Sequence, residues 1–549
     1  MKETSMKKAL LFAAAFSLAV SGAEASKKKV IGCGWGFNNA TVDDFLAHAE
    51  EFGETGLDGV LVWLRGRDKT GRFVGMRAIY DQDWTYEAFA PMVPKLRKMT
   101  GYNAFKENFL ITMRSPRVRK AWTDDAAWAR LAENMRVAAC IARDGGCVGL
   151  HMDLEDYSKV RQFFRVPGEL PYDELCRLVR RRGAEVFKGV FAEYPKVKVL
   201  SFWFLSWMHS SKRVQDPCIV ARERQDLWPA FVNGILDVLP STATLIDGNE
   251  HAYRFSSEKN DFAESAHRTS RKLIDLVEPE NRAKYATQMQ ISFGLYLDMY
   301  TNTEGAKWYF PPTGGSRLRT FSENLEQAMD VADEYVWVYG EKFQFVKWKN
   351  RFKPGKNCKA DCWDDVLPGF NSTIAFLNDR ESFGRRRVAE LAAEGKLRNL
   401  AHNATCDGIG GKLPEPFGCW QPGKKEKHAG TFGSDQSMGN GDSTSLCAEG
   451  VPSGCFTLKL TDINPGGTYV VKCSAKGEGT SAMVTWTDNK RKWMDSVYVQ
   501  SWDQFGDWRC GFITVRAPFT AQNLHLHLGV SLAPGEKCWF DSIEVIPLD

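Results

Sequence analysis

The residues best equipped for chemistry lie in one run, Cys147-Val-Gly-Leu-His-Met-Asp-Leu-Glu-Asp-Tyr157. It opens apolar, as a buried strand does, and closes with polar groups at alternate positions. Side chains on a strand alternate between faces, so His151, Asp153 and Glu155 are expected to project to one side. Two carboxylates and an imidazole converging at a strand end are costly in a core, where unpaired charge is penalised by several kcal/mol, in order of magnitude. They suit the floor of an active site, where one carboxyl donates a proton and a second attacks or activates water. A metal site fits the trio less well, because i, i+2 and i+4 on one strand spread ligands over about 13 Å. For His151 alone, a satisfied core histidine competes closely with a substrate or orienting ligand.

The elements that must hold this run can be read around it. From Lys29 the chain alternates strand-like and helix-like segments. Strands are predicted over 30–36, 57–65, 108–114, 147–157, 197–208, 243–253, 288–300 and 334–341. Helical patterns follow each of the first seven, the first of them behind Thr41 as an N-cap. Eight such strands over this length match the (β/α)8 barrel. A doubly wound open sheet shares the alternation, but Gly34-x-Gly36 is not followed by the helix-opening pattern that a dinucleotide needs.

In a (β/α)8 barrel the site gathers at the C-terminal strand ends. The sixth predicted strand ends in Asp247-Gly-Asn-Glu250-His-Ala-Tyr253, the seventh carries Tyr296, Asp298 and Tyr300, and the eighth Trp337, Tyr339 and Glu341. Trp35, Trp63, Arg65, Arg114, Trp203 and Trp207 sit near other ends. Acids, aromatics and a few arginines on one rim are what glycosidic cleavage uses. Catalytic candidates are therefore Glu155, Asp153, Glu250 and Asp247. Substrate-binding candidates are His151, Trp35, Trp203, Trp207, Tyr253, Tyr296, Asp298, Trp337 and Glu341. A strand-end carboxylate also often caps a helix or pairs with arginine, and that reading weighs equally for Asp247 and Asp298.

The segment Gly149-Leu-His-Met-Asp-Leu-Glu155 resembles the strand-four signature of family-18 glycoside hydrolases, matching its last Asp-x-Glu, with His151 where that family has an aspartate. The resemblance implies Glu155 as proton donor and Asp153 as the neighbour that raises its pKa. Other retaining families place the nucleophile after strand four and the acid after strand six. In that arrangement Asp153 attacks and Asp247 or Glu250 protonates.

Beyond Leu397 helix signals fade, and short alternating runs separated by Gly, Thr and Ser indicate a β-sandwich. Arg398-Asn-Leu-x-x-Asn403, Gly441-Asp-Ser-Thr-Ser-Leu446, Gly454-Cys-Phe456, Ile463-Asn-Pro-Gly-Gly-Thr-Tyr469, Trp508 and Trp539-Phe-Asp541 follow in order. This order resembles the jelly-roll carbohydrate-binding modules of the family 4/9/22 type. The resemblance implies sugar stacking on Trp486, Trp493, Trp502 or Tyr498, and a structural Ca²⁺ held by Asp541 with Asp407. No cofactor is expected for catalysis.

The N-terminus reads as an export signal over 1–25, with Lys7-Lys8, the apolar stretch from Ala9 to Val20, and Ala23-Glu-Ala25 as cleavage site. The chain is thus expected to be secreted or periplasmic, with no membrane-spanning segment in its mature form. Fourteen cysteines in an exported protein favour disulfides over a metal site at Cys358-x-x-x-Cys362. A net charge of +4, with acids and bases well mixed, argues against nucleic acid as partner. The expected organisation is a catalytic barrel over 26–395 and a jelly roll over 396–549. The expected function is that of a secreted glycoside hydrolase acting on a polysaccharide or glycan. The alternative is an inactive barrel that binds glycans.

Overall fold

The structure is a computed structural model and describes residues 27–37, 40–75, 79–210, 216–348, 358–407, 411–423, 428–461 and 463–549. The export segment lies outside the described residues. The chain divides into two compact units, one ending at Asn378 and the other beginning at Asp379.

The first unit is a ring of parallel strands flanked by helices. Its strands are β1 (Lys29–Gly34), β2 (Gly59–Trp63), β3 (Phe109–Arg114), β4 (Gly149–Asp153), β5 (Lys198–Ser201) and β6 (Thr244–Asp247). They continue through β7, in two segments (Met289–Ile291 and Phe293–Tyr296), to β8 (Tyr335–Gly340). Each pairs in parallel with the next, and β8 returns to β1 over six residues from Lys29↔Tyr335 to Gly34↔Gly340. Closure runs through β7, which changes partner at Ser292. Its first segment bonds to β6 and its second to β8.

Strand parity sorts the apolar side chains into two layers. Val30, Val60, Leu110, Leu150, Met152 and Val199 face the helices, while Ile31, Leu61, Phe109, Ile111, Leu200, Ile246 and Trp337 fill the barrel. Trp337 fits because β7 offers a glycine beneath it: a Cβ at Gly294 would lie 2.4 Å from the indole. The long helix Asp125–Gly145 packs on β3 and β4 and against the second long helix, Tyr172–Glu193, and it starts on the Asp124 side chain, which accepts from the Ala127 amide. Among the described residues no helix is long and apolar enough to cross a membrane.

The second unit packs two antiparallel sheets face to face. Its strands are β9 (Gly418–Trp420), β10 (Thr431–Asp435), β11 (Ser445–Glu449), β12 (Gly454–Leu460), β13 (Thr468–Lys476) and β14 (Thr480–Thr487). They continue as β15 (Trp493–Tyr498), β16 (Ser501–Phe505), β17 (Trp508–Arg516), β18 (Asn523–Val530) and β19 (Lys537–Pro547). One sheet runs β9-β12-β18-β14-β15 and the other β10-β11-β19-β13-β17-β16. Their inner faces share a core that includes Phe456, Tyr469, Trp486, Leu526 and Phe540.

Two expectations change here. The barrel, expected to run to residue 395, ends at Asn378, and the helix Arg380–Ala393 belongs to the second unit. Its Gly384 lies against Thr514 of β17, and Arg385 places its guanidinium 4.3 Å from the Phe512 ring centre while pairing with Asp503 at 3.1 Å. Disulfides are also absent: all fourteen cysteines are free thiols. Cys419 and Cys455, Cys447 and Cys538, and Cys473 and Cys510 do lie on paired strands, but each pair is offset by one residue in register. Directly opposite residues share a face and the next residue takes the other. The two sulfurs of every pair therefore point to opposite sides of the sheet.

Candidate active site

Three cavities open at the C-terminal ends of the barrel strands, with volumes of about 300, 260 and 350 Å³. Glu155 lines all three, and Glu250 lines the first and third.

β4 supplies the central acid. His151, Asp153 and Glu155 line the second cavity together, as their spacing predicts. The next alternate residue, Tyr157, joins them, and its hydroxyl donates to Glu155 Oε2. Arg114, directly across from Asp153 in the β3–β4 register, pairs with it at 2.8 Å. Burial pushes the Asp153 carboxyl up and the Arg114 charge pulls it back. Glu155 is pushed up to about 7, first by burial and then by the Asp153 charge, while Tyr157 and Arg114 work against the shift. His151 is fully buried, lies edge-on to Phe202 at 4.4 Å, and has no hydrogen-bond partner at either ring nitrogen among the described residues. Burial lowers it to about 3, so the ring is neutral and carries one donor and one acceptor.

The sequence Asp247-Gly-Asn-Glu250 builds the second acid. Asp247 is fully buried, and its carboxylate accepts from the Ser206 amide at 2.8 Å, the Ser206 hydroxyl and the Asn249 amide at 3.3 Å. Gly248 passes so close to β5 that a Cβ would meet the Ser201 carbonyl oxygen at 2.4 Å. Asn249 then turns through left-handed space at φ 46°, with its amide group donating to Ser265 Oγ at 2.6 Å. This folded corner aims Glu250 into the cleft. Burial, Glu155 and Asp153 push Glu250 up to about 8.

Aromatic rings wall the first cavity. Tyr253, Tyr296 and Tyr339 lie 5.3–6.1 Å from one another, and Trp308 stands edge-on to Tyr296 at 5.7 Å. Glu341 lines it too, its carboxylate accepting from the Tyr339 hydroxyl at 3.0 Å. Trp35 lines the second cavity, and Trp203 and Trp207 the third. In the third, Asp226 is buried and pushed up to about 6 by that burial, against the opposing influence of the Trp228 amide and the Trp207 side chain.

Three candidates fall elsewhere. Asp247 lines none of the three cavities and serves as the anchor of the Glu250 corner. Asp298 is buried behind the rim, where its Oδ2 accepts from the Glu341 amide at 2.8 Å, so it positions Glu341. Trp337 lies inside the barrel, its indole N–H donating to the Gly248 carbonyl at 2.8 Å. Tyr157, Trp308 and Asp226 were not anticipated. The alternation that selected His151, Asp153 and Glu155 would have reached Tyr157, whereas Trp308 follows an irregular stretch without periodicity.

On the sandwich, Trp486 is core at 1% exposure, whereas Trp493 and Tyr498 of β15 are 58% and 46% exposed. Trp493 stacks on His527 of β18 at 5.6 Å. The calcium reading is not supported by the side-chain arrangement: among the described residues no group of three or more His, Cys, Asp or Glu could hold a metal ion. Asp541 instead accepts from the Asn440 and Ser542 amides, and Asp407 from the Thr405 and Thr444 hydroxyls.

No protein-family model and no curated protein matches the chain. Among solved structures, one similarity is to the enzymatically active domain of bacteriophage CBA120 tailspike protein 4, at 18% identity over 27% of this chain and 21% of that one, with a TM-score of 0.23. Another is to the CBM22-1–GH10 modules of Clostridium thermocellum endo-1,4-β-D-xylanase 10B with xylohexaose, at 12% identity over 27% and 28%, with a TM-score of 0.21. A third is to TmCBM61 in complex with β-1,4-galactotriose, at 16% identity over 27% of this chain and 99% of that one, with a TM-score of 0.20. These likenesses are too slight to fix a function.

Proposed function

We propose that the barrel is a glycoside hydrolase that cleaves glycosidic bonds in a polysaccharide or glycan, with Glu155 and Glu250 as its working carboxyls. The observation that carries this reading is that the two line shared cavities, flanked by aromatic rings, with the Glu155 charge raising the Glu250 pKa and burial and Asp153 raising that of Glu155. Such a pair holds a single proton near neutrality, because ionising both at once is penalised.

In this reading Glu250 holds the proton. Tyr157 and Arg114 stabilise ionised Glu155, whereas Glu250 has no favourable influence of that kind. Glu250 therefore donates to the leaving glycosidic oxygen, and Glu155 attacks the anomeric carbon or deprotonates water. This exchanges the roles expected from the family-18 resemblance. Asp153, neutralised by Arg114, shapes the field at Glu155, and neutral His151 reads a sugar hydroxyl. Tyr253, Tyr296 and Trp308 offer ring faces to the sugar. The exposed Trp493 and Tyr498 give the sandwich a glycan-gripping face, and export by residues 1–25 brings the protein to its substrate.

The test is a polysaccharide panel digested with the native protein and with Glu155→Gln and Glu250→Gln, product anomers being read by NMR. Cleavage by the native protein, lost in both variants, is the expected result. Cleavage that survives either substitution unchanged overturns the assignment. Binding without any cleavage favours an inactive, glycan-binding barrel.

A further inference from the structure

The cleft also contains cations that the acid pair does not use. Arg254 lines the first cavity and Arg161 the third, the two cavities that share Glu155 and Glu250. Each guanidinium lies against an aromatic ring, Arg254 at 4.0 Å from the Trp308 centre and Arg161 at 5.1 Å from that of Phe164. Neither forms an ion pair among the described residues, in contrast to Arg114 with Asp153 and Arg119 with Glu169. A guanidinium stacked on a ring keeps its in-plane N–H fork free, and that fork matches a carboxylate or sulfate bidentately.

The loop carrying Arg161 is held in place. Asp156 accepts from the Val160 and Arg161 amides at 3.1 and 2.6 Å, and Arg119 donates to the Phe164 carbonyl at 2.8 Å. Arg161 itself adopts left-handed backbone at φ 53°, a conformation uncommon outside glycine that clusters at ligand sites. An unpaired arginine on open surface needs no explanation. Two of them, each against a ring in one of the two cavities that share the acid pair, where the other charged groups are mainly carboxylates, do.

We propose that the substrate is a polyanionic glycan, and that Arg254 and Arg161 bind carboxylate or sulfate groups on sugars to either side of the bond that is cut. This rests on the hydrolase reading. A neutral chain would need no cations beside Glu155, Glu250 and Glu341, whereas an anionic one must be drawn in against their field.

The experiment uses the full chain carrying Glu250→Gln, titrated by calorimetry with glycan pairs that differ only in charge: polygalacturonate and its methyl ester, sulfated and desulfated galactan, and sulfated and desulfated glucan. The expected result is tighter binding of charged members, weakening as salt rises. Adding Arg254→Gln or Arg161→Gln should cost roughly 10- to 100-fold for charged members and little for neutral ones. Arg254→Lys should recover only part, because it keeps the charge and loses the fork. The carboxylate and sulfate arms tell the two anions apart. Equal or tighter binding of neutral members, a preference untouched by both substitutions, or no binding of any charged member overturns the proposal. Cleavage of a neutral glycan by the native protein would then leave the hydrolase reading standing, and binding of charged glycans without cleavage would leave only the present one.

Discussion

The two ends of the barrel use the same residue types to opposite effect. At the N-terminal end, Lys29 pairs with Glu107 and Glu334 at 2.7 Å each, and Lys198 pairs with Glu334 at 2.6 Å. Tyr335 accepts from Lys198 at 2.7 Å and donates to Glu107 at 2.5 Å. Burial alone would push Glu334 up, yet its two lysine partners hold it at about 2. At the C-terminal end, neither Glu155 nor Glu250 forms an ion pair among the described residues, and they rise to about 7 and 8. Compensated charge at one end contributes stability, and uncompensated charge at the other provides reactivity at some cost to stability.

The sharpest way to separate the ends is by substitution. Glu250→Gln is expected to lower kcat by about 10²- to 10⁴-fold, read by reducing-sugar release, without lowering the melting temperature. Its folded-state pKa lies above the ordinary 4.5, so ionising it opposes folding as pH rises from 4.5 through about 8. The variant should therefore gain stability over the native protein at pH 8 and gain nothing at pH 4. Glu334→Gln should behave inversely, losing about 1–3 kcal/mol by denaturant titration at pH 7 while kcat stays within about twofold. The depressed pKa of Glu334 means that its contribution is complete above 4.5 and disappears as pH falls through about 2. An unaltered Glu334→Gln stability would erase the contrast.

Two smaller effects sharpen it. Activity requires one carboxyl of the pair protonated and the other ionised, so a plot of kcat/KM against pH should be a narrow bell with apparent limbs near 7 and 8 that belong to the pair. Tyr157→Phe removes a hydrogen bond that favours ionised Glu155. Its acid limb should move to higher pH by up to about one unit, with a few-fold loss in rate below the optimum. A limb that stays where it was would remove Tyr157 from the site.

Much of this architecture was legible in the sequence, for reasons that differ by element. Parallel barrel strands are buried on both faces and read as continuous apolar runs, so all eight could be placed. Period-two alternation put His151, Asp153 and Glu155 in one cavity. The same rule does not extend to Glu250: Asp247 ends β6, Glu250 follows it, and the left-handed turn at Asn249 decides which reaches the cleft. Asp298 and Trp337 misled because a polar or aromatic residue at a rim can equally face inward and bond to backbone. Trp308 and Arg161 lie on irregular segments and Arg254 closes the short 3-10 helix Glu250–Arg254, and no local pattern marks them.

The thiols, finally, bear on how the protein can be made and handled. Cys147, Cys473 and Cys538 are held at about 12 by burial, so they persist as unreactive thiols at neutral pH. For Cys473 and Cys538 the cross-strand sulfurs, those of Cys510 and Cys447, lie on the opposite face of the sheet. A reducing cytosol should yield the same fold, and a melting curve recorded with and without dithiothreitol should superimpose.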